Sequence, residues 1–157
     1  MVKAAELSDN GTGREERPFA NALLRLRGAN LRPTRQRLAL VKILFEPGDR
    51  HVTAETLHGE AARAGVRVSL ATIYNALHQF TDAGLLRQVV VDGARTYFDT
   101  NVDDHHHFYM EDDGTLMDIP GDGIAVTGLP PAPDGHAARR VDVIVRVARE
   151  TSSKNSK

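Results

Sequence analysis

Apolar side chains in the first half of the chain recur every three or four residues. Phe19, Leu23 and Leu26 share one face of a short helix that stops near Gly28. Pro33-Thr34 opens a second helix with Leu38, Val41, Leu44 and Phe45 as its stripe and Pro47-Gly48 as its stop. Thr53 is placed to cap a third, with Leu57, Ala61 and Ala64 inward before Gly65. Ser69 caps a fourth over 70–83, with Leu70, Ile73, Leu77 and Phe80 on one face and Gly84 beyond its end. The period then drops to two. Residues 85–91 and 94–99 are rich in β-branched and aromatic side chains and flank Asp92-Gly93, a strong short hairpin signal. Helices followed by such a hairpin predict a winged helix, with the fourth helix as recognition helix.

A second hairpin is expected around Asp112-Asp113-Gly114, with residues 105–111 and 115–119 as its strands. Alternation puts His106, Phe108 and Met110 on one face, expected to be the core face, and His105, His107 and Tyr109 on the other. Residues 120–135 are too rich in Gly and Pro for a helix. Residues 140–149 alternate Val141, Val143, Val145 and Val147 with polar or long side chains, as a half-buried strand does. Three strands in about fifty residues bury little apolar surface alone, so this part is expected to form a homodimer. The expected fold class is α+β: an N-terminal winged-helix DNA-binding domain (16–99) followed by a small α/β or mainly β dimerisation and ligand-sensing domain (100–150). Tails are expected at 1–15 and 151–157.

Composition narrows the function. With 41% hydrophobic residues the 157-residue chain can build a core, and no apolar run approaches the ~18 residues of a membrane span. The first 17 residues lack the apolar region of a signal peptide, so a cytoplasmic protein with no membrane partner is expected. There is no cysteine, which excludes disulfides, thiolate zinc sites and cysteine nucleophiles. The net charge of −1 hides an asymmetry. Through Phe98 there are 14 Lys/Arg against 10 Asp/Glu, a balance of +4; from Asp99 onward there are 6 against 11, a balance of −5. A basic half suits a polyanion such as double-stranded DNA, and an acidic half with clustered histidines suits cations.

Two groups of residues carry candidate chemistry. On the fourth helix Thr72, Asn75 and Gln79, with Tyr74 and His78 alongside, form a face without acids that can read base edges and phosphates. Arg32, Arg35 and Arg37 crowd the start of the second helix, where the helix dipole disfavours cations; an outside anion and a solvated basic face are the two readings of that placement. The other group is Asp103-Asp104-His105-His106-His107. Imidazoles at i and i+2 of a strand can share a metal ion or offer an axial ligand to haem iron; solvated histidines at a polar strand start are the competing reading.

The motifs LRPTRQRLALVKIL, HVTAETLH, SLATIYNALHQFTDAGLL and the His-rich strand before DDG resemble the ferric uptake regulator (Fur) superfamily, over about residues 23–149. Within it, HHHFYMEDDGTLMDIP without cysteine is similar to the iron response regulators (Irr) of rhizobia and their relatives. The resemblance implies an interdomain site for a divalent metal (Fe, Mn or Zn) on His51, Asp99, His105 and His107. It implies DNA contacts from Tyr74, and puts Asn75 where Fur carries Arg; with Arg35 and Thr72 these form the expected DNA-binding set. The family's structural zinc site, built from four cysteines, is absent, since its Cys-x-x-Cys falls on Met110 and Asp113. A second metal site would fall on Asp104, His106, Ala125 and Arg140, two of which cannot bind a cation. The Irr likeness implies a haem- and iron-responsive regulator, not an enzyme, active when haem is scarce and inactivated by haem held by His105, His106 and His107. The alternatives are a Fur-like repressor with Mn or Fe as corepressor and, from another class, a metal-dependent hydrolase using the His/Asp cluster.

Overall fold

The computed structural model describes residues 17–151, so the expected tails lie outside the described residues except for Thr151. Four helices come first: α1 (Ala20–Gly28), α2 (Arg35–Phe45), α3 (Ala54–Arg63) and α4 (Leu70–Asp82). The side chains of Thr34, Thr53 and Ser69 accept from the backbone N–H three residues on, at 3.1–3.2 Å, and cap α2, α3 and α4. Leu26, Leu40, Val41, Leu44, Leu57, Ile73, Leu77 and Phe80 are almost wholly buried and form the core between the helices. Ala64, expected inward, is exposed, because the chain has already turned out of the helix there.

The wing is a three-stranded antiparallel sheet in the order β1-β3-β2, with β1 (His51–Val52), β2 (Arg87–Asp92) and β3 (Arg95–Asp99). Its turn sits one residue later than Asp92-Gly93 would place it. Asp92 still pairs with Arg95, Gly93-Ala94 make the connection, and the Asp92 carboxylate accepts from the Ala94 N–H at 2.9 Å.

A second sheet, in the order β5-β4-β6, follows: β4 (His105–Met110) pairs antiparallel with β5 (Leu116–Pro120) and parallel with β6 (Ile144–Val147). Among the described residues this part holds no α-helix, only a 3-10 turn at Gly121–Gly123, so it is mainly β. The expected ten-residue strand is four residues long. The face assignment of β4 is also corrected. His105, His107 and Tyr109 are buried, while Phe108 is 39% exposed. The histidine face is covered because it packs on the wing: Tyr109 and Leu116 join Val89, Val91 and Tyr97 in a small apolar cluster, with Ile144 against it. Phe108 pairs across β5 with exposed Met117 and across β6 with Val145, and leaves an apolar face open.

Polar contacts complete this junction. Arg95 Nη1 donates to Tyr109 Oη at 2.7 Å, Tyr97 Oη to the Gly114 carbonyl at 2.6 Å, and Arg146 Nη2 to the Val91 carbonyl at 2.6 Å. Two glycines are required here. Gly114, in the left-handed region at φ 73°, closes the second hairpin. At Gly121 a Cβ would lie 2.5 Å from the Asp104 carbonyl oxygen, so any side chain would push β4 and the end of β5 apart.

Candidate functional site

Strand register brings five side chains to one point. His51 on β1 lies directly opposite Asp99 on β3. His105 and His107 project from the same face of β4, and Asp118 on β5 lies opposite His107. The ligand-type atoms of His51, Asp99, His105, His107 and Asp118 all lie within 4.8 Å of one another. Asp99 and His107 are essentially inaccessible, and Asp118 forms the exposed rim. Of the expected metal set, His51, Asp99, His105 and His107 are brought together. Asp118 was not foreseen, although counting back from the Asp112-Asp113-Gly114 turn pairs it with His107.

Donor orientation is specific. Asp99 Oδ1 accepts from the Asn101 N–H at 2.9 Å, which leaves Oδ2 facing the imidazoles. That oxygen is 2.8 Å from His105 Nε2, 3.0 Å from His107 Nε2 and 3.1 Å from His51 Nε2. Asp118 Oδ1 is 2.8 Å from His51 Nε2 and 3.4–3.5 Å from the other two. His105 Nδ1 lies 2.6 Å from the Asp103 carbonyl, an acceptor, so this nitrogen carries the proton. In the neutral ring Nε2 then presents its lone pair to Asp99 Oδ2, which repels it unless a cation lies between. His51 Nε2 is buried beside two carboxylates yet makes no hydrogen bond to either. An orphaned imidazole nitrogen and an unprotonated one, both aimed at carboxylate oxygens, fit a divalent cation. Neighbouring ligands of an ion bound at ~2.1 Å stand about 3 Å apart, the spacing seen here.

Electrostatics agree. Burial works to raise the Asp99 pKa, but the hydrogen bond from His107 and the proximity of His51 outweigh it, and the carboxylate is held well below the usual range. Burial works to lower the His51 pKa, but Asp99 and Asp118 together push it above the ordinary 6.5. The cluster stores negative charge and favours cations.

His106 is not part of this cluster. It projects from the opposite face of β4, half-buried, and its Nδ1 accepts from the Val143 N–H at 3.2 Å. The expected haem set of His105, His106 and His107 is therefore divided. Two rings are packed at 4.6 Å against each other under Asp99, and the third keeps its proton on Nε2. The one cavity that His105 and His106 both line, among those described, holds about 260 Å³ and is bordered by Arg87, Asp104 and Arg140. Its lining mixes these charges with Ile124, Val126 and Val141, and the three histidines, divided between two faces of β4, do not converge as a joint ligand set for haem. Arg140 lies at this cavity beside Asp104 and His106, a cation where the second metal site would have been.

The expected DNA-binding residues lie on α2 and α4 and are in two different states. Asn75 on α4 and Arg35 on α2 are exposed, and their side chains have no partner among the described residues. Thr72 and Tyr74 are engaged. Thr72 Oγ1 lies 2.9 Å from the capping Ser69 hydroxyl, and Tyr74 Oη donates to Glu55 at 2.7 Å. Gln79 is held by Arg37 Nη2 at 2.7 Å, so Arg37 braces α2 against α4 instead of awaiting an anion.

The profile of the ferric uptake regulator family matches residues 28–128, nearly two thirds of the chain, and that span contains all five cluster residues. The chain belongs to the ferric uptake regulator family. It is 35% identical over 100 residues to the ferric uptake regulation protein of Shigella flexneri, covering 63% of this chain and 68% of that one. The fold matches the ferric uptake regulator of Pseudomonas aeruginosa with manganese (TM-score 0.62, 24% identity, 82% of this chain and 98% of the other). It also matches the Vibrio cholerae ferric uptake regulator (TM-score 0.63, 22% identity, 82% and 99%), whose structure is described as showing a rearrangement of its DNA-binding domains. Placement in the Fur family leaves the hydrolase alternative without support. Among the described residues no helix is long and apolar enough to cross a membrane.

Proposed function

We propose that this Fur-family protein is a homodimeric, DNA-binding transcription regulator of iron genes. In this reading His51, Asp99, His105, His107 and Asp118 hold one divalent cation, Fe²⁺ or Mn²⁺. The observation that carries the reading is the 2.6 Å approach of His105 Nδ1 to the Asp103 carbonyl, an acceptor, which leaves the Nε2 lone pair directed at Asp99. Three imidazoles and two carboxylates are a mixed donor set that suits Mn, Fe and Zn. When bound, the ion would supply the positive charge that lets the two carboxylates and three lone pairs converge. His51 and Asp99 come from the wing, and His105, His107 and Asp118 from the second sheet. Their convergence fixes the wing, and with it α4, relative to the sheet.

The open face of Phe108, Met117 and Val145 supports dimerisation through the second sheet. Two copies would present two α4 helices to a two-fold site. Asn75, exposed on α4, would read adenine in this arrangement.

The Irr-like reading, inactivation by haem, rests on the likeness of HHHFYMEDDGTLMDIP, and the divided histidines count against it. One experiment separates the two. DNA duplexes selected from a random pool are bound by the protein under chelator, with Mn²⁺, and with haem. The metal reading expects tighter binding with Mn²⁺, lost in His105→Ala/His107→Ala. A Soret band with release of DNA, abolished by replacing all three histidines, would replace it with the haem reading.

A further inference from the structure

Arg87 opens β2, faces Asp99 across β3 and is 4% exposed. Its guanidinium donates to the Asp103 carbonyl at 3.0 Å through Nη1. Through Nη2 it donates to the His105 carbonyl at 3.2 Å and to the Asp142 carboxylate. The Asp103 carbonyl is the one that takes the His105 Nδ1 proton. Arg87 therefore grips the backbone on both sides of His105 and shares the acceptor that sets the tautomer of its ring. Asp142 in turn holds Arg87 and accepts from Arg140 Nε at 2.9 Å. Asp142 sits two residues before β6 and beyond residue 128, where the family match ends. From there the chain continues onto β4: the Val143 N–H donates to His106, and the His107 N–H donates to the Val143 carbonyl at 3.1 Å.

We propose that Arg87 and Asp142 form a relay in which docking of the C-terminal strand β6 positions His105 for metal, so that ion binding and strand docking strengthen each other. The proposal rests on the metal reading above. With Asp142 in place, Arg87 is drawn toward the C-terminal segment and fixes the 103–105 backbone. Without it, the buried guanidinium loses its carboxylate partner and is no longer held against the Asp103 and His105 carbonyls, so the loop carrying the tautomer-setting carbonyl loses its brace. Coupling of this kind is reciprocal: whatever strand docking contributes to ion affinity, the ion returns to strand docking. Asp142 is a positioning residue here and touches no ligand atom. Its side chain is 42% exposed, so the isosteric Asp142→Asn removes the charge with little change of shape.

The test is Mn²⁺ titration by calorimetry of the full chain, together with amide hydrogen exchange at Ile144–Val147 and melting of the metal-free protein. Wild type, Asp142→Asn, Asp142→Glu and His105→Ala are compared. The expected result is roughly 10-fold weaker Mn²⁺ binding in Asp142→Asn at unchanged stoichiometry, and recovery to within about threefold in Asp142→Glu. Mn²⁺ should slow exchange across β6 in wild type and not in Asp142→Asn. Equal affinity in Asp142→Asn and wild type, with His105→Ala inactive, overturns the relay and leaves the metal reading standing. A loss that only follows a lower melting temperature, unrestored by Glu, also overturns it. Wild-type uptake that survives His105→Ala removes the metal reading itself, and the relay with it.

Discussion

Between the four helices and the base of the wing, fifteen buried side chains from Ala22 to Phe98 are all apolar. At the junction of wing and second sheet, five buried apolar residues share the space with Asp99, His105, His107 and Arg87. The helical core is closed by local signals and non-directional burial, and needs nothing from outside. The junction is directional: its stability rests on donors meeting acceptors and on charges meeting partners. Where such a cluster converges on one point, a ligand can change how firmly the two sides hold together. The contrast places durable fold and adjustable contact in adjacent parts of one small chain.

The largest test of this contrast lies in the core. Phe80→Ala, at a fully buried site, should cost about 3–5 kcal/mol in urea unfolding. The loss should be the same with and without Mn²⁺, because Phe80 supplies no ligand atom to the cluster. A metal-dependent loss would mean that the two regions are not separate. Next comes Gly121→Ala, where the new Cβ meets the Asp104 carbonyl. It should cost about 1–3 kcal/mol and weaken Mn²⁺ uptake together with stability. Stability lost without any change in uptake would detach the hairpin from the site.

Asn75→Ala touches neither region's packing. It should leave the melting temperature unchanged and lose about 1–3 kcal/mol of discrimination at one base pair, read by competition between selected and single-base-altered duplexes. Uniform weakening across sequences would instead make Asn75 a phosphate contact. The smallest effect is on pH. His51 holds its proton in the metal-free chain above the ordinary 6.5. That proton's stabilising contribution is complete below the unfolded value and fades as pH rises through the folded one. Mn²⁺ must displace it, so affinity should climb with pH across this window. In His51→Ala the slope should become shallower; an unchanged slope would remove His51 from the ligand set.

Much of the helical half was legible because its signals are local. Thr53 and Ser69 announce their helices within four residues, and the 3.6-residue stripe of Ile73, Leu77 and Phe80 needs no partner to be read. The wing could be read as a hairpin, but its turn shifted because Asp92 spends its carboxylate on the Ala94 N–H. The second sheet was harder. A period of two shows that β4 has two faces and does not say which is covered; Phe108 and Met110 look like core until the wing is seen to lie on His105, His107 and Tyr109. Asp118 was within reach through the hairpin register. Asp142 was not, since nothing local ties it to Arg87, fifty-five residues earlier. Tyr74 and Gln79 were read as open to DNA, whereas Glu55 and Arg37 hold them in the free protein.

In the proposed reading one ion site joins wing and sheet through His51, His105 and His107. The most direct measurement is the paramagnetic broadening by substoichiometric Mn²⁺ of the imidazole proton resonances of the protein's seven histidines. The resonances of His51, His105 and His107 should broaden first and together, ahead of those of the other four histidines. Broadening centred on His106 or His136, or of His105 and His107 without His51, would contradict a site that spans the two sheets.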